Sequence, residues 1–358
     1  MNAISFPVPP EDPAARPDQR RPALSVEGLR AYYLTNVFGV RREVRAVDDI
    51  SFAIMPNEIY GIAGESSSGK TSLIKAVAGA VRPPLTVVGG EVRYNFAGET
   101  ISLYGGGPVD LSAVRWKHLS YIMQGSMNVL NPVRRIRRSF EDFAYRHIGR
   151  SRAEFNDIVS GHLERLHLSP KVLNAYPHEL SGGMRQRVTI ALATVCRPDF
   201  IIADEPTTAL DVVVQKRVLG LIREVQRQIG SSLLFVTHDM SVHANLTDRL
   251  GIMYAGRLVE EGPTREIFAA PKHPYTKHLI ASLPRIGDRT VREGLKGSPP
   301  NLSDPPPGCR FHPRCPAAME VCRKVAPPFV ESGARRRVAC FAAEPETIPD
   351  RESRRPIA

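Results

Sequence analysis

The chain has 358 residues, of which 42% are hydrophobic, and it carries a formal net charge of +11 at pH 7. A chain of this length and composition can bury a large core and is expected to fold as about two units. Its longest apolar runs, such as Phe200 to Ala203, have the length of a strand, so the sequence predicts no membrane-spanning helix.

The N-terminal residues 1–23 lack the order of a secretory signal, in which a basic start precedes an apolar core and a small-residue cleavage site. Their Pro, Asp and Arg content predicts a disordered tail. Without export, we expect a reducing cytoplasm, in which the five cysteines would not form structural disulfides. The cysteines therefore need another explanation.

The positive charge leaves two partner classes open, nucleic acid and an anionic membrane surface. No basic stripe with interleaved aromatic residues indicates base stacking. We instead interpret the basic runs as a solvated face near lipid headgroups. These runs are Arg134, Arg135, Arg137 and Arg138, and Arg335 to Arg337.

Residues 24–270 alternate β-branched runs with helical stretches, which predicts an α/β domain. The strand candidates are VRAVDDISFAI, EIYGIAG, DFIIAD, SLLFVTH and LGIMYAG. A helical insertion is expected at about 111–196, and an amphipathic helix follows the DFIIADEP segment. From Pro271 proline and cysteine become frequent, which indicates a small appended unit at 271–345 and a flexible tail at 346–358.

The segment GESSSGKT, Gly64 to Thr71, fits the phosphate-loop pattern, since it follows a predicted strand and opens a predicted helix. Backbone amides exposed by the glycine turns would surround an anion, and Lys70 would supply a charge to the terminal phosphates. Thr71 would offer its hydroxyl to Mg²⁺. The predicted ATP-binding residues here are Gly64, Glu65, Ser66, Ser67, Ser68, Gly69, Lys70, Thr71 and Ser72.

A pair of carboxylates ends the apolar run DFIIADEP. Asp204 is expected to hold Mg²⁺ through water, and Glu205 to polarise the attacking water. A helix cap or a surface pair is the alternative interpretation of such a pair. Many NTPases share these parts, so they predict ATP chemistry without identifying the machine.

The segment LSGGMRQRV, Leu180 to Val188, is similar to the signature sequence of ABC ATPases. The resemblance implies an ABC-type P-loop NTPase fold, with a RecA-like core, an antiparallel β subdomain and a helical subdomain. It also implies that Ser181, Gly182 and Gly183 bind ATP held by a second ABC subunit. Active sites would then form only in a dimer.

Other positions agree with this family in order and spacing. Gln124 resembles the Q-loop residue, which senses Mg²⁺ and couples to the membrane subunit; Asp211 resembles the D-loop aspartate, and His238 the switch histidine. Tyr33 is our choice for the aromatic that stacks on adenine, with Tyr32 as the competitor. Ser67, where relatives often carry Gly, is expected to tune binding without abolishing it.

Three further segments, SMNVLNP, HPYTKHLIASLP and GCRFHPRCP, resemble ATPases of dipeptide, oligopeptide and nickel importers. Members of that subfamily also import oligosaccharides, so the solute stays open. The resemblance implies a second ABC ATPase, expected to be a distinct subunit, two transmembrane permeases and an external solute-binding protein. It places the chain on the cytoplasmic face of the inner membrane, with no nucleic-acid partner.

A soluble ABC ATPase acting on ribosomes or DNA is the alternative function. It is disfavoured because one phosphate loop and one signature occur here, without a long coiled coil.

Four cysteines, Cys309, Cys315, Cys322 and Cys340, lie close together in the sequence, whereas Cys196 is expected to be a buried thiol in a helix. Their spacings do not match paired zinc ligands well, and an iron–sulfur cluster accepts more varied spacings. Similar tails in the peptide-importer ATPases are thought to hold a [4Fe-4S] cluster. We expect such a cluster, with zinc or free thiols as alternatives.

Overall fold

The computed structural model describes residues 21–96, 99–104, 111–112, 114–123, 125, 129–148, 151–208, 210–283 and 294–349. Gln124, most of the predicted N-terminal tail and the end of the predicted C-terminal tail lie outside these ranges. Within them, none of the helices is both long enough and apolar enough to cross a membrane.

An antiparallel sheet of four strands forms one layer of the protein. Its strands lie in the order β2-β1-β4-β5, and the first two form a long hairpin. This layer is the β subdomain expected from the family resemblance. The strands are β1 (Leu24–Val37), β2 (Val40–Ile54), β4 (Leu85–Phe96) and β5 (Glu99–Ser102).

A second sheet forms the core of the domain, with eight strands among the described residues in the order β11-β12-β10-β9-β3-β8-β7-β6. Its strands are β3 (Ile59–Ala63), β6 (Leu119–Ile122), β7 (Phe200–Asp204), β8 (Ser232–Val236), β9 (Arg249–Tyr254), β10 (Arg257–Pro263), β11 (Val330–Glu331) and β12 (Arg337–Val338). From β6 to β9 the neighbouring strands are parallel. Every residue of β3, β7 and β8 is buried, as expected for continuous apolar runs covered on both faces.

Helices cover both faces of this sheet and confirm the predicted α/β class. They are α1 (Lys70–Val77), α2 (Ile136–Ile148), α3 (Arg152–Arg165), α4 (Gly182–Thr194), α5 (Val212–Ile229), α6 (Met240–Leu246), α7 (Thr264–Ala269), α8 (Pro274–Ala281) and α9 (Glu320–Lys324). The predicted amphipathic helix after β7 is α5, which buries Val218, Leu221 and Val225.

Helices α2, α3 and α4 form the helical subdomain around a core that includes Phe140, Phe155 and Leu163. Ser151 and Glu154 make a capping box at the start of α3. Cys196 lies in the turn after α4, which ends at Thr194, so the prediction that this cysteine is in a helix is wrong. Its thiol is half-buried against the core of this subdomain.

The C-terminal segment continues the core sheet, because β12 pairs with β10. Arg336, which precedes β12, is 5% exposed and lies 2.6 Å from the carboxylate of Glu260. The expectation that Arg335 to Arg337 form a solvated face is therefore wrong for Arg336. The buried carboxylate of Glu260 needs a cationic partner, and this arginine supplies it.

Candidate functional site

The phosphate loop connects β3 to α1 at the carboxyl edge of the core sheet. Gly69 caps α1 with a left-handed φ of 103°, and a Cβ at this position would collide with the carbonyl oxygen of Ala46. Only glycine fits both constraints. Ser67 also has a positive φ, 65°, although it carries a side chain.

Lys70 lies 7% exposed at the start of α1. Its ammonium donates hydrogen bonds to the carbonyl oxygens of Gly64 at 2.7 Å and Glu65 at 2.8 Å. Burial lowers the pKa of Lys70, and the charges of Glu205, Asp204 and Glu65 oppose that shift. An incoming phosphate would compete with the two carbonyls for this ammonium.

Asp204 is the last residue of β7 and is 2% exposed. Burial and the charge of Glu205 raise the pKa of Asp204 to about 6, although a hydrogen bond from the Tyr121 hydroxyl and the charge of Lys70 oppose the shift. The two carboxylates and the ammonium of Lys70 thus interact electrostatically. Sequence reasoning assigned these three side chains to the phosphates, to Mg²⁺ and to the attacking water.

Glu205 follows β7 with a positive φ of 46°, a strained conformation for a residue with a side chain. Its carboxylate accepts a hydrogen bond from the Thr208 hydroxyl at 3.0 Å and lies 3.0 Å from Nδ1 of His238. Burial works to raise the pKa of Glu205, but the contacts with His238 and Thr208 lower it below its usual value. The group is therefore held as a carboxylate, the form that accepts a proton.

The two tyrosines on β1 have different surroundings, since neighbouring side chains of a strand point to opposite faces. The hydroxyl of Tyr33 lies 3.1 Å from that of Ser72, on the helix that follows the phosphate loop. The hydroxyl of Tyr32 donates to Asp48 at 2.6 Å. Of the two, Tyr33 contacts the phosphate-loop helix directly.

The signature segment forms the start of α4. Ser181 is exposed and caps α4 by accepting a hydrogen bond from the amide of Met184, and Gly182 and Gly183 form the first turn. Asp211 likewise caps α5, accepting from the amides of Val213 and Val214. Ser181 and Asp211 are both exposed, so the two capped helix starts lie at the surface of the chain.

Three residues near the phosphate loop were missed by sequence reasoning, and all lie in the C-terminal part of the chain. Tyr275 accepts a hydrogen bond from the amide of Glu65 at 2.8 Å, and Arg314 contacts the carboxylate of Glu65. Arg310 contacts Asp48 on β2. No local pattern identifies a pair such as Glu65 and Arg314, which are 249 positions apart.

The four C-terminal cysteines are neighbours in space. Burial first, and then the charges of the other three thiols, raise the pKa of Cys309 to about 12, with an opposing hydrogen bond from the Phe311 amide. The amide of Cys309 donates to the carbonyl oxygen of Cys322 at 2.8 Å. Within the described ranges, however, no group of three or more His, Cys, Asp or Glu side chains is arranged to hold a metal ion.

Two family models match the chain. The ABC transporter model matches residues 47–208, which include the phosphate loop, the signature and the carboxylate pair. The model of the oligopeptide/dipeptide transporter C-terminal region matches residues 259–322, which include three of the four cysteines.

Several proteins are similar to the chain over most of its length. A dipeptide transport ATP-binding protein of Caldanaerobacter subterraneus is 39% identical over 324 residues, covering 90% of this chain and 97% of the relative. The oligopeptide transport ATP-binding protein of Escherichia coli is 38% identical over 328 residues, covering 91% and 94%.

Among solved structures, a dimeric ATP-binding cassette in a post-hydrolysis state with ADP and phosphate is 23% identical and matches with a TM-score of 0.56. It covers 68% of this chain and 99% of that chain. This structural likeness supports the fold.

Proposed function

Since the chain belongs to the ABC transporter family of ATPases, with the C-terminal region of oligopeptide and dipeptide transporters, we propose that it energises peptide uptake through partner membrane subunits. The observation that carries the proposal is the group formed by Lys70, Asp204, Glu205 and His238 at one edge of the core sheet. This group combines the ammonium of Lys70 for binding phosphate, the carboxylate of Asp204 for holding a metal and the ionised carboxylate of Glu205 for activating water.

In this proposal the phosphate loop binds the triphosphate through its amides and Lys70, and Tyr33 packs against adenine. Mg²⁺ fits the remaining donors, because hydroxyl and carboxylate oxygens are its preferred ligands. Thr71 and Asp204 would hold it, together with Gln124, which lies outside the described residues. The metal would neutralise charge that develops on the phosphates.

Glu205 would accept a proton from the attacking water, since its contacts keep it ionised. His238 shares a contact with Glu205, and 59% of its side chain is exposed, so it can also reach a terminal phosphate. Thr208 holds the second carboxylate oxygen. These contacts orient the proton acceptor.

The exposed Ser181 at the start of α4 supports a dimer in which Ser181, Gly182 and Gly183 face ATP bound by a second ABC subunit, with Asp211 near the same interface. We propose that this subunit is a distinct chain, that two permeases span the membrane and that an external protein delivers the solute. The chain would lie on the cytoplasmic face of the inner membrane, with Gln124 near the permeases.

Peptides are the favoured solute because the names of the similar proteins refer to dipeptide and oligopeptide transport. Oligosaccharides and nickel, the other solutes expected from the sequence, have no such support. The same names give no support to an action on ribosomes or nucleic acid.

The proposed [4Fe-4S] cluster at Cys309, Cys315, Cys322 and Cys340 receives mixed support. The thiols are neighbours, but among the described residues no group of three or more His, Cys, Asp or Glu side chains is arranged to hold a metal ion. We assign the cluster no part in ATP hydrolysis. Iron and zinc analysis of anaerobically purified protein distinguishes cluster, zinc and free thiols.

Uptake by a strain that lacks this gene tests the proposal. We expect the wild-type gene to restore uptake of labelled di- and oligopeptides, and the Lys70→Ala gene to fail, because it removes the phosphate-binding charge. If the wild-type gene restored uptake of oligosaccharides but not of peptides, the transported solute would be an oligosaccharide and not a peptide. Copurification with ribosomes instead of permeases would overturn the transport function.

A further inference from the structure

The segment between Cys309 and Cys315 lies against the phosphate loop. The guanidinium of Arg314 makes two hydrogen bonds to the carboxylate of Glu65, at 2.8 and 3.2 Å. Only 6% of the Arg314 side chain is exposed. The Glu65 side chain is 26% exposed. A bidentate pair of this kind fixes both the distance and the orientation of its partners.

Three groups of Glu65 each make a hydrogen bond to another residue. Its carboxylate contacts Arg314, its amide donates to the Tyr275 hydroxyl at 2.8 Å, and its carbonyl oxygen accepts from Lys70 at 2.8 Å. The residue follows Gly64, where the chain leaves β3 and enters the loop. Arg314 also offsets a negative charge that would otherwise repel a triphosphate.

Arg310 contacts β2 and the turn after β9, which also lie near the phosphate loop. Its guanidinium contacts the carboxylate of Asp48 and the carbonyl oxygen of Ala255, and only 6% of its side chain is exposed. Asp48 in turn accepts a hydrogen bond from Tyr32, which adjoins Tyr33 on β1. Arg310 therefore fixes β2 and, through it, the strand that carries the adenine-side tyrosines.

A packed aromatic group anchors the segment that carries both arginines. Phe311 is 1% exposed, and its ring lies 5.1 Å from that of Tyr254 and 5.5 Å from that of Tyr275. Tyr254 ends β9 and Tyr275 lies in α8, so the segment is attached to rigid elements of the core. A rigid attachment allows each arginine to hold its partner in one position.

We propose that Arg314 and Arg310 are positioning residues for ATP, so that this C-terminal segment sets the affinity of the nucleotide site. The inference rests on the ATP site proposed above. Both residues act through others, Arg314 through Glu65 and Arg310 through Asp48. They order the loop before nucleotide arrives, which lowers the entropy lost on binding. Their effect therefore falls on ATP affinity more than on turnover of bound ATP.

Binding of a fluorescent ATP analogue and steady-state hydrolysis by the full chain with its partners test this inference. We expect Arg314→Ala to raise the Kd and the KM for ATP by about 10-fold and to leave kcat within about twofold. Arg314→Lys should recover part of the loss, and Arg310→Ala should have a smaller effect. Arg323→Ala is the matched control, since Arg323 is an exposed arginine of the same C-terminal region that lies in α9 and pairs with Glu320.

Arg314→Gln removes the same cation while keeping a polar side chain, leaves the Glu65 charge in place, and serves if Arg314→Ala fails to fold. A Kd within twofold of wild type for both variants would overturn the inference, and so would equal losses in kcat and affinity. Lys70→Ala distinguishes a failure of the ATP site from a failure of the proposed role of Arg314. If Lys70→Ala abolishes binding while Arg314→Ala does not change it, the ATP site stands and the role of Arg314 fails; if Lys70→Ala retains binding, the ATP site itself fails.

Discussion

The phosphate loop and the signature segment are both assigned to ATP, yet they are held in different ways. The phosphate loop is partly buried, with Lys70 folded onto it and Arg314 and Tyr275 contacting it from the C-terminal part of the chain. Ser181 is exposed and contacts its own helix α4. In the proposed mechanism this difference corresponds to ATP affinity that is set within one chain and hydrolysis that requires a second subunit at Ser181.

Removing the Glu205 carboxylate should give the largest separation of binding from hydrolysis. Glu205→Gln keeps the shape of the side chain but cannot accept a proton, so we expect hydrolysis to fall by about 10²- to 10⁴-fold while ATP binding persists. Phosphate release by the assembled transporter and equilibrium ATP binding measure the two effects. Near-normal turnover would exclude Glu205 as the proton acceptor.

A charge on the exposed segment should affect hydrolysis alone. Asp caps a helix as well as Ser does, so Ser181→Asp keeps α4 intact but places a carboxylate against the partner's phosphates. We expect about 10²-fold slower hydrolysis and unchanged ATP binding by the isolated chain. Ser181→Asn, which caps without charge, is the control. Weaker binding by the isolated Ser181→Asp chain would mean that the two regions share one site.

The smallest effect is expected at Ser67, where the loop is strained. A left-handed φ costs a residue with a side chain about 1–2 kcal/mol, and glycine avoids that cost. Ser67→Gly should therefore stabilise the chain. The gain is limited to about 1 kcal/mol, because glycine loses more conformational entropy on folding than serine does. Thermal unfolding checks this. Ser66→Gly, at a position without positive φ, should destabilise; if both variants shift the Tm equally, the strain is not the cause.

Local patterns predicted the parts of the fold and site that short segments determine. The apolar runs that become β3, β7 and β8 and the loop around Lys70 are specified by neighbouring residues, so the sequence alone located them. Tertiary contacts decided the rest. The burial of Arg336 depends on Glu260, which lies 76 positions earlier, and the contact between Arg314 and Glu65 spans 249 positions. Neither pair leaves a periodic signal in the sequence.

The position of the cysteines in space also depended on tertiary structure. Their closeness in the sequence and the family resemblance predicted a shared site, and the structure does bring the thiols together. The arrangement around them, however, is set by the packing of Phe311 and by contacts that no spacing rule includes.

The pairing of β12 with β10 places two C-terminal strands beside β10, with β11 at the edge of the described sheet. Glu260 and Glu261 of β10 are fully buried, and Arg336 and Arg337 neutralise them from the C-terminal segment. A chain shortened to the ABC domain would leave Glu260 without Arg336 and Glu261 with Arg249 as its cation, and it would uncover two residues of β10. The C-terminal region is thus packed into the core sheet of the ATPase domain as well as against its phosphate loop.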